Sequence, residues 1–409
     1  MTLVSGRIIK AAILIGGPAK GTRFRPLSLE LPKPLFPIGG FPMIYHHIEI
    51  PNLAEIILIG FYQPQEALTK LITDAQNDFN VHIRYLQEFA PLGTAGGVYQ
   101  FRDQIMAGGL DLLFVMNADV CCDAPLEEML EFHKTLGLGD RFVILSTEAT
   151  REQSMQFGCI VEKPETNEVL HYVEKPATFV STNINCGIYL FTPGIFNLDL
   201  RSACKESIQL ETEIFQPLAG SGTLYAYSTN RFWSQIKHAA AVIYANRQVL
   251  AMYRRTHPQR LDGDSCDGPR IIGDVCLHQT SKVDKTAVLG PNVSVGPGAV
   301  VGAGVRLRDC IVLRNAEIRA HACCLNSVIG WNAVVGEWAR VEGTAHDPNP
   351  NTPFTKLEVV PVFNSKGQLN PSITVIGSNV EVPPEVIILN SIVLPHKELS
   401  GSFKNQIIL

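Results

Sequence analysis

Leu289-Gly290-Pro291-Asn292-Val293-Ser294-Val295-Gly296-Pro297-Gly298-Ala299-Val300-Val301-Gly302 decides how the second half of this chain folds. Leu289, Val295 and Val301 stand six residues apart, and each is followed by a glycine. The same spacing runs outward through Val283 and Leu277 on one side and Leu307 and Leu313 on the other. A second series, Val293, Val305 and Ile311, sits two residues before the next member of the first. A helix would repeat every 3.6 residues and a lone strand every 2, so neither explains a period of six. A coiled β-solenoid does, with one side of a triangular turn per repeat. The reading is a left-handed parallel β-helix of hexapeptide repeats, with aliphatics pointing into the prism and glycines allowing tight corners.

The repeat then frays. Arg319 falls in the next core slot, and Leu325 and Trp331 resume the series. Gly343 to Thr374 carry no repeat and include the turn-rich run Asp347-Pro348-Asn349-Pro350-Asn351-Thr352-Pro353. The period returns at Ile376, Val382, Ile388 and Leu394. A loop of that length on a rigid solenoid is usually functional or disordered.

The first half reads differently. Apolar strand candidates at Ala11–Ile15, Glu55–Ile59, Ile83–Leu86 and Leu112–Met116 alternate with helical patterns at Met43–Glu49 and Glu66–Ala75. That order predicts an α/β domain of Rossmann-like type, its mixed sheet mainly parallel and covered on both faces. Val143–Ser146, Cys159–Glu162, Val169–Val173 and Gly187–Phe191 follow closely and predict an antiparallel extension. With 409 residues, two domains are the default. The expected bounds are 1–253 for the α/β domain, 254–270 for a linker and 271–409 for the β-helix, with an inserted loop at about 343–374.

Composition narrows the function. Hydrophobic residues make up 46% and charged residues 18%, with mean hydropathy +0.11. This supports a folded core. A net charge of −5 gives no electrostatic footprint for nucleic acid or membrane. No apolar stretch reaches the roughly 18 residues a span needs, and Lys10 interrupts the apolar run Ile8–Ile15 that would otherwise suggest a signal peptide. The ten cysteines include no C-x-x-C pair, which points to reduced thiols in a cytoplasmic protein.

Chemistry concentrates after the first strand. Gly16-Gly17 and the run Gly21-Thr22-Arg23-Phe24-Arg25-Pro26-Leu27 offer backbone N–H groups and two cations to phosphates, and Lys33 between Pro32 and Pro34 adds a third. This run resembles the G-G-x-G-T-R-x-x-P-L signature of sugar-1-phosphate nucleotidylyltransferases, with its following P-K-P. Further stretches match in order: Glu88–Gly96 (E-F-A-P-L-G-T-A-G), Asn117-Ala118-Asp119, Tyr172–Pro176 (Y-V-E-K-P), and Asn185 with Gly187. With the β-helix and its end at Leu394–Lys397, the likeness covers nearly the whole chain. It is greatest to the GDP-mannose pyrophosphorylase family, and there to the alpha subunit.

The resemblance implies roles. Gly16, Gly17, Glu88, Pro91, Gly93, Thr94, Gly96, Asn117 and Asp119 would bind the nucleotide. Gly158, Glu174, Lys175, Asn185 and Gly187 would hold the mannose and its phosphate. Arg23 and Lys33 would meet the triphosphate, and Asp119 would be one ligand of a divalent metal.

Two departures modify this expectation. Three residues, Pro18, Ala19 and Lys20, stand where the family has one between Gly-Gly and Gly-Thr-Arg. The family's F-W-x-D-I-G reads Phe232-Trp233-Ser234-Gln235-Ile236-Lys237, so an amide takes the place of the second metal carboxylate. Arg23 and Lys33 are then vestigial, and Mg²⁺ is weakly held at best. The expectation is a regulatory subunit that binds GDP-mannose, associates with a catalytic homologue (the beta subunit) and with itself, and feeds inhibition back on that homologue. Its effector is the loop with Asp347, Pro348, Asn349, Pro350, Asn351 and Lys356. The alternative is an active mannose-1-phosphate guanylyltransferase. A hexapeptide acyltransferase would use His321, beside the broken repeat; nothing marks a coenzyme A site.

Overall fold

The structure, a computed structural model, describes residues 6–18, 22–49, 53–63, 66–198, 207–358 and 361–409. The expected insertion residues Ala19 and Lys20 lie outside these; Pro18 lies within a turn. The chain forms two compact units. The first comprises the described parts of Met1–Lys20 and of Met43–Trp233, together with Asn349–Lys356. The second comprises those of Gly21–Pro42, Ser234–Pro348 and Leu357–Leu409.

In the first unit, β1 (Ile9–Gly16) is the centre of the sheet, with Ala11, Ala12 and Ile13 fully buried. β2 (Glu55–Gly60) pairs with it in parallel, and α1 (Glu66–Phe79) leads on to β3 (Ile83–Gln87), parallel to β2. After α2 (Gly93–Gln100), β4 (Leu112–Asn117) lies parallel to β1 on its other side. The chain continues through α3 (Leu126–Thr135) into β5 (Phe142–Glu148), α4 (Arg151–Ser154), β6 (Gly158–Glu162), β7 (Val169–Glu174), β8 (Asn183–Phe191) and β9 (Leu224–Ser228). β8 is the pivot of the sheet: it runs antiparallel to β4, β5 and β6. The order is β7-β6-β8-β4-β1-β2-β3, with β5 joining β8 to β9, nine strands among the described residues. The parallel half and the antiparallel extension thus follow the pattern of the sequence. The helix expected over Met43–Glu49 is only Tyr45–Ile48. Lys10 is buried, and its ammonium meets the carbonyls of Ile105 (2.9 Å) and Ala107 (2.6 Å) and the Glu55 carboxylate (3.2 Å), which offsets its desolvation.

The second unit is a solenoid of short parallel strands on three faces. One face stacks Lys282–Val283, Val300–Val301, Glu317–Ile318, Val334–Val335 and Glu381–Val382. Leu289, Val295, Val301 and Leu307 fill its core as the period of six requires. Past Leu307 the inward positions shift by one, and Cys310 and Val312 take the core places expected for Ile311 and Leu313. Ile318 and Cys324 are fully buried in the core, while Arg319, Leu325 and Trp331 are only half-buried. The register gives the reason. Val288 pairs with Arg306, eighteen residues on, but Arg306 pairs with Cys323, seventeen on. One residue lost per coil moves each side chain to its neighbour's slot, and Arg319 turns outward to pair with Glu317 at 3.0 Å. Val393 likewise replaces the expected Leu394 in the core.

The insert occupies one place in the coil. Leu325 pairs with Glu342 and Ser327 with Thr374, so residues 343–373 stand where the preceding coil has Asn326 alone. The helix Ala241–Thr256 belongs to this second unit and is tied to it by polar contacts. Asn246 Oδ1 accepts from Gly39 N (2.8 Å) and Ser294 Oγ (3.0 Å), and Arg254 Nε donates to Asp274 Oδ1 (2.8 Å). The solenoid's first strand begins at Arg270, inside the stretch expected to be linker.

Candidate functional site

Strand ends of β4, β6, β7 and β8 bring the expected sugar residues together in the first unit. Asn185 Nδ2 donates to the hydroxyls of Tyr172 and Tyr189, both at 3.0 Å, and the Tyr172 hydroxyl donates to Glu174 Oε2 at 3.1 Å. Lys175 Nζ pairs with the other oxygen of Glu174. Lys175 itself has φ +44°, and its N–H donates to Phe157 O at 3.1 Å, so the backbone turn aims the ammonium at the carboxylate. Gly158 is glycine for a steric reason: a Cβ there would lie 2.1 Å from the Tyr172 hydroxyl and 2.8 Å from Glu174 Oε2. Gly187 is another. At φ +79° its N–H bonds to Asn185 Oδ1 (2.8 Å), and a Cβ would meet Asn117 Nδ2 at 2.8 Å. Asn117, from the nucleotide motif, therefore packs directly on the sugar motif.

The Glu88–Gly96 stretch closes on a segment the sequence reading missed. Gly93, at φ +87°, lies so close to Ile208 O that a Cβ would sit 2.3 Å from it. The amides of Ala95 and Gly96 donate to that carbonyl at 2.9 and 3.2 Å. Thr94 Oγ1 donates to Glu211 Oε2 at 2.8 Å and accepts from Leu210 N at 2.8 Å. Glu211 opens a one-turn π-helix, Glu211–Phe215, a geometry frequent at functional sites. Burial raises its carboxyl pKa, and the charge of Glu174 adds to the rise. Burial above all also raises the Tyr172 and Tyr189 phenols, which stay protonated as donors. The available signal was the acidic pair Glu211 and Glu213 set among Leu210, Ile214 and Phe215. Glu88 is buried under Gly97, and Pro91 precedes α2 as an exposed loop residue. At the end of β1, Gly16 has φ +69°, and a Cβ on Gly17 would strike Phe61 at 2.8 Å.

The metal side is different. Asp119 is half-buried in the turn after β4, near the buried, neutral His47, whose pKa burial lowers against the pull of Met43 O and Asp119. Among the described residues no group of three or more His, Cys, Asp or Glu side chains is suited to a metal. Gln235, in the second unit, contributes an amide. Asp119 offers one carboxylate, so a Mg²⁺ there would be held by that group with water and phosphate oxygens. Arg23 and Lys33 also belong to the second unit: Arg23 is exposed, and Lys33 is buried with its ammonium 5.9 Å from the Phe24 ring centroid.

The expected effector loop is divided between the units. Asp347 pairs with Arg247 at 2.9 Å in the second unit, where Pro348 also lies. Asn349–Lys356 belongs to the first. There Asn349 Oδ1 accepts from Asn351 N (3.0 Å), Pro350 is exposed, and Gln153 grips Lys356 twice. The Lys356 N–H donates to Gln153 Oε1 (2.7 Å) and Gln153 Nε2 donates to Lys356 O (2.8 Å). Lys356 Nζ donates to Thr147 Oγ1 at 3.3 Å and lies 5.8 Å from the Trp233 ring centroid. Thr147 pairs with Ile184, the neighbour of Asn185, so by the pleat Lys356 is on the sheet face opposite the sugar cluster. Burial lowers the Lys356 pKa, against the pull of Cys186 and Glu148. His321 stacks on Trp338 at 4.3 Å on the exposed solenoid corner. No helix of the described residues is long and apolar enough to cross a membrane.

Comparisons with known proteins divide the chain along the sequence, whereas the compact units exchange the described parts of Gly21–Pro42 and the segment Asn349–Lys356. The family model described as nucleotidyl transferase matches residues 10–251, and that described as GMPPB C-terminal domain matches 271–408. The chain is 57% identical to the mannose-1-phosphate guanylyltransferase regulatory subunit alpha-A of Danio rerio, over 98% of this chain and all of that one. It is 57% identical to the regulatory subunit alpha of Xenopus tropicalis and 54% to that of Rattus norvegicus, with the same coverage. A Bacillus anthracis structure assigned as a glucose-1-phosphate thymidylyltransferase shares the fold, with TM-score 0.51 and 19% identity over 58% of this chain and 94% of that one. The chain belongs to the nucleotidyl transferase family, and within it to the mannose-1-phosphate guanylyltransferase alpha regulatory subunits.

Proposed function

We propose that this chain binds GDP-mannose in its first unit and transmits that occupancy as feedback inhibition to a catalytic homologue with which it assembles. The observation that carries the reading is an asymmetry. The Glu174–Tyr172–Asn185–Tyr189 network is complete, with Glu174 held between a phenol and an ammonium. The metal position that transfer chemistry needs carries Gln235 in place of a carboxylate. A sugar diphosphate can be held by hydrogen bonds and cations alone, whereas transfer to the α-phosphorus needs its charge neutralised. Glu174 and the remaining lone pair of Asn185 Oδ1 accept from sugar hydroxyls, Lys175 meets a phosphate, and Asn117 packs on the Gly187 turn beneath them.

Calorimetry with GDP-mannose and turnover with GTP, mannose 1-phosphate and Mg²⁺ test this together. Glu174→Ala weakens GDP-mannose by more than about tenfold, since a sugar hydroxyl loses a charged partner. The wild type alone turns over far below the roughly 1–1000 per second of ordinary enzymes. Normal binding by Glu174→Ala overturns the site, and ordinary turnover restores the transferase reading. For the partner, the catalytic homologue is assayed with rising GDP-mannose in the presence of this chain; failure of the two to associate at micromolar concentration removes the regulatory role.

A further inference from the structure

Part of the second unit's solenoid is aliphatic where a solenoid normally faces water. Val375 pairs with Ile392, and Ile392 with Ile407, on successive coils. Their chain neighbours Ile376, Val393 and Ile408 face the core. By the pleat, the first three face outward as a ladder. Residues of the insert stand over this ladder, Leu369 and Ile373 among them, with His346 Nε2 against Pro371 O at 2.7 Å. The cover is incomplete and leaves a cavity of about 400 Å³.

The cavity has a cationic side. Its guanidiniums are Arg23 and Arg25, beside the imidazoles of His238 and His346, and Glu358 is the one carboxylate among the described lining residues. His238 is held neutral first by burial and then by the charges of Arg23, His346, Lys237 and Lys33. Arg23 and Arg25, both exposed, thus stand at the side of an aliphatic floor.

We propose that this cavity is a small-molecule site for an anion joined to an apolar body, the head group at Arg23 and Arg25 and the body on the Val375–Ile392–Ile407 ladder. Its size falls in the range of about 300–1,000 Å³ usual for ligand sites. Two separate demands shape it: an aliphatic surface left uncovered costs hydration free energy, and clustered cations repel. A ligand with both parts covers the aliphatic floor and pairs with the guanidiniums at once, whereas water serves only the guanidiniums. Phosphate and carboxylate heads share this chemistry. The lining residues all belong to the second unit.

The test is calorimetry of the full chain with n-octyl phosphate, n-octanoate, n-octanol and inorganic phosphate. One octyl phosphate binds per chain, and octanol and inorganic phosphate bind at least about tenfold more weakly, because each lacks one half of the interaction. The ratio of octanoate to octyl phosphate identifies the head group. Arg25→Met weakens octyl phosphate by about tenfold or more. Ile392→Phe fills the cavity and abolishes binding while GDP-mannose affinity is unchanged; Ile407→Trp, near the chain end, serves if that variant does not fold. Equal binding of octanol, full octyl phosphate binding in the filled and Arg25→Met variants, or no binding up to about 1 mM overturns the proposal. Loss of GDP-mannose binding in the wild type bears only on the first unit.

Discussion

The cluster around Glu174 and the stretch around Gln235 descend from the same family motifs, yet they are built in opposite ways. In the cluster each polar atom serves another: Asn185 supplies two phenols, Tyr172 passes its proton toward Glu174, and Lys175 closes the far side. Glycines at 158 and 187 exist to let those atoms meet. A substitution anywhere in such a network strands a buried group, which costs about 1–3 kcal/mol. The Gln235 position differs from the family's by an amide in place of a carboxylate. A metal carboxylate serves the metal, and glutamine there is both uncharged and one methylene longer than the aspartate of the family motif.

That comparison can be broken most sharply at Gly158. Gly158→Ala places a methyl against the Tyr172 hydroxyl and Glu174. The expected result is about 1–3 kcal/mol of lost stability in denaturant unfolding and about a hundredfold weaker GDP-mannose by calorimetry, two misplaced contacts being worth roughly tenfold each. Native affinity in that variant would mean the network is not the ligand site.

A smaller effect is expected on the other face of the same strands. Gln153→Ala removes both hydrogen bonds to the Lys356 main chain. At about 1 kcal/mol each, amide hydrogens of residues 349–356 should exchange roughly thirtyfold faster, read by mass spectrometry. If they do not, the segment is held by something other than Gln153. If they do, inhibition of the catalytic homologue by this variant shows whether a held segment matters to the signal.

The smallest effect concerns Glu211. Its pKa is raised by burial and then by Glu174, so the folded state favours its protonated form. The sign follows: the folded chain binds this proton more tightly than the unfolded chain, so the wild type loses stability as pH rises above 4.5, the ordinary value, through the raised one. Glu211→Gln removes that slope and is the more stable form at pH 7 in urea titrations. A wild type and variant with parallel pH profiles would place Glu211 outside the charged cluster.

Much of this was legible in the chain itself. The period of six at Leu289, Val295 and Val301 specifies a solenoid because only inward side chains at that interval bury one another. The motif residues Glu174, Asn185 and Gly187 were readable because their types are dictated by local contacts. Beyond Leu307 the sequence misled: Ile311, Leu313, Arg319, Leu325 and Trp331 fit the count but not the register, since a seventeen-residue coil shifts the side chains, and only strand pairing reveals it. Glu211 and His47 gave no motif, because each owes its role to neighbours far along the chain. The tertiary structure alone decided that Asn349–Lys356 leaves the solenoid for the first unit, and that Val375, Ile392 and Ile407 form an outward ladder beside Arg23 and Arg25. Such juxtapositions follow from where an insertion folds back, and sequence spacing carries no record of the distance between residues that the fold brings together.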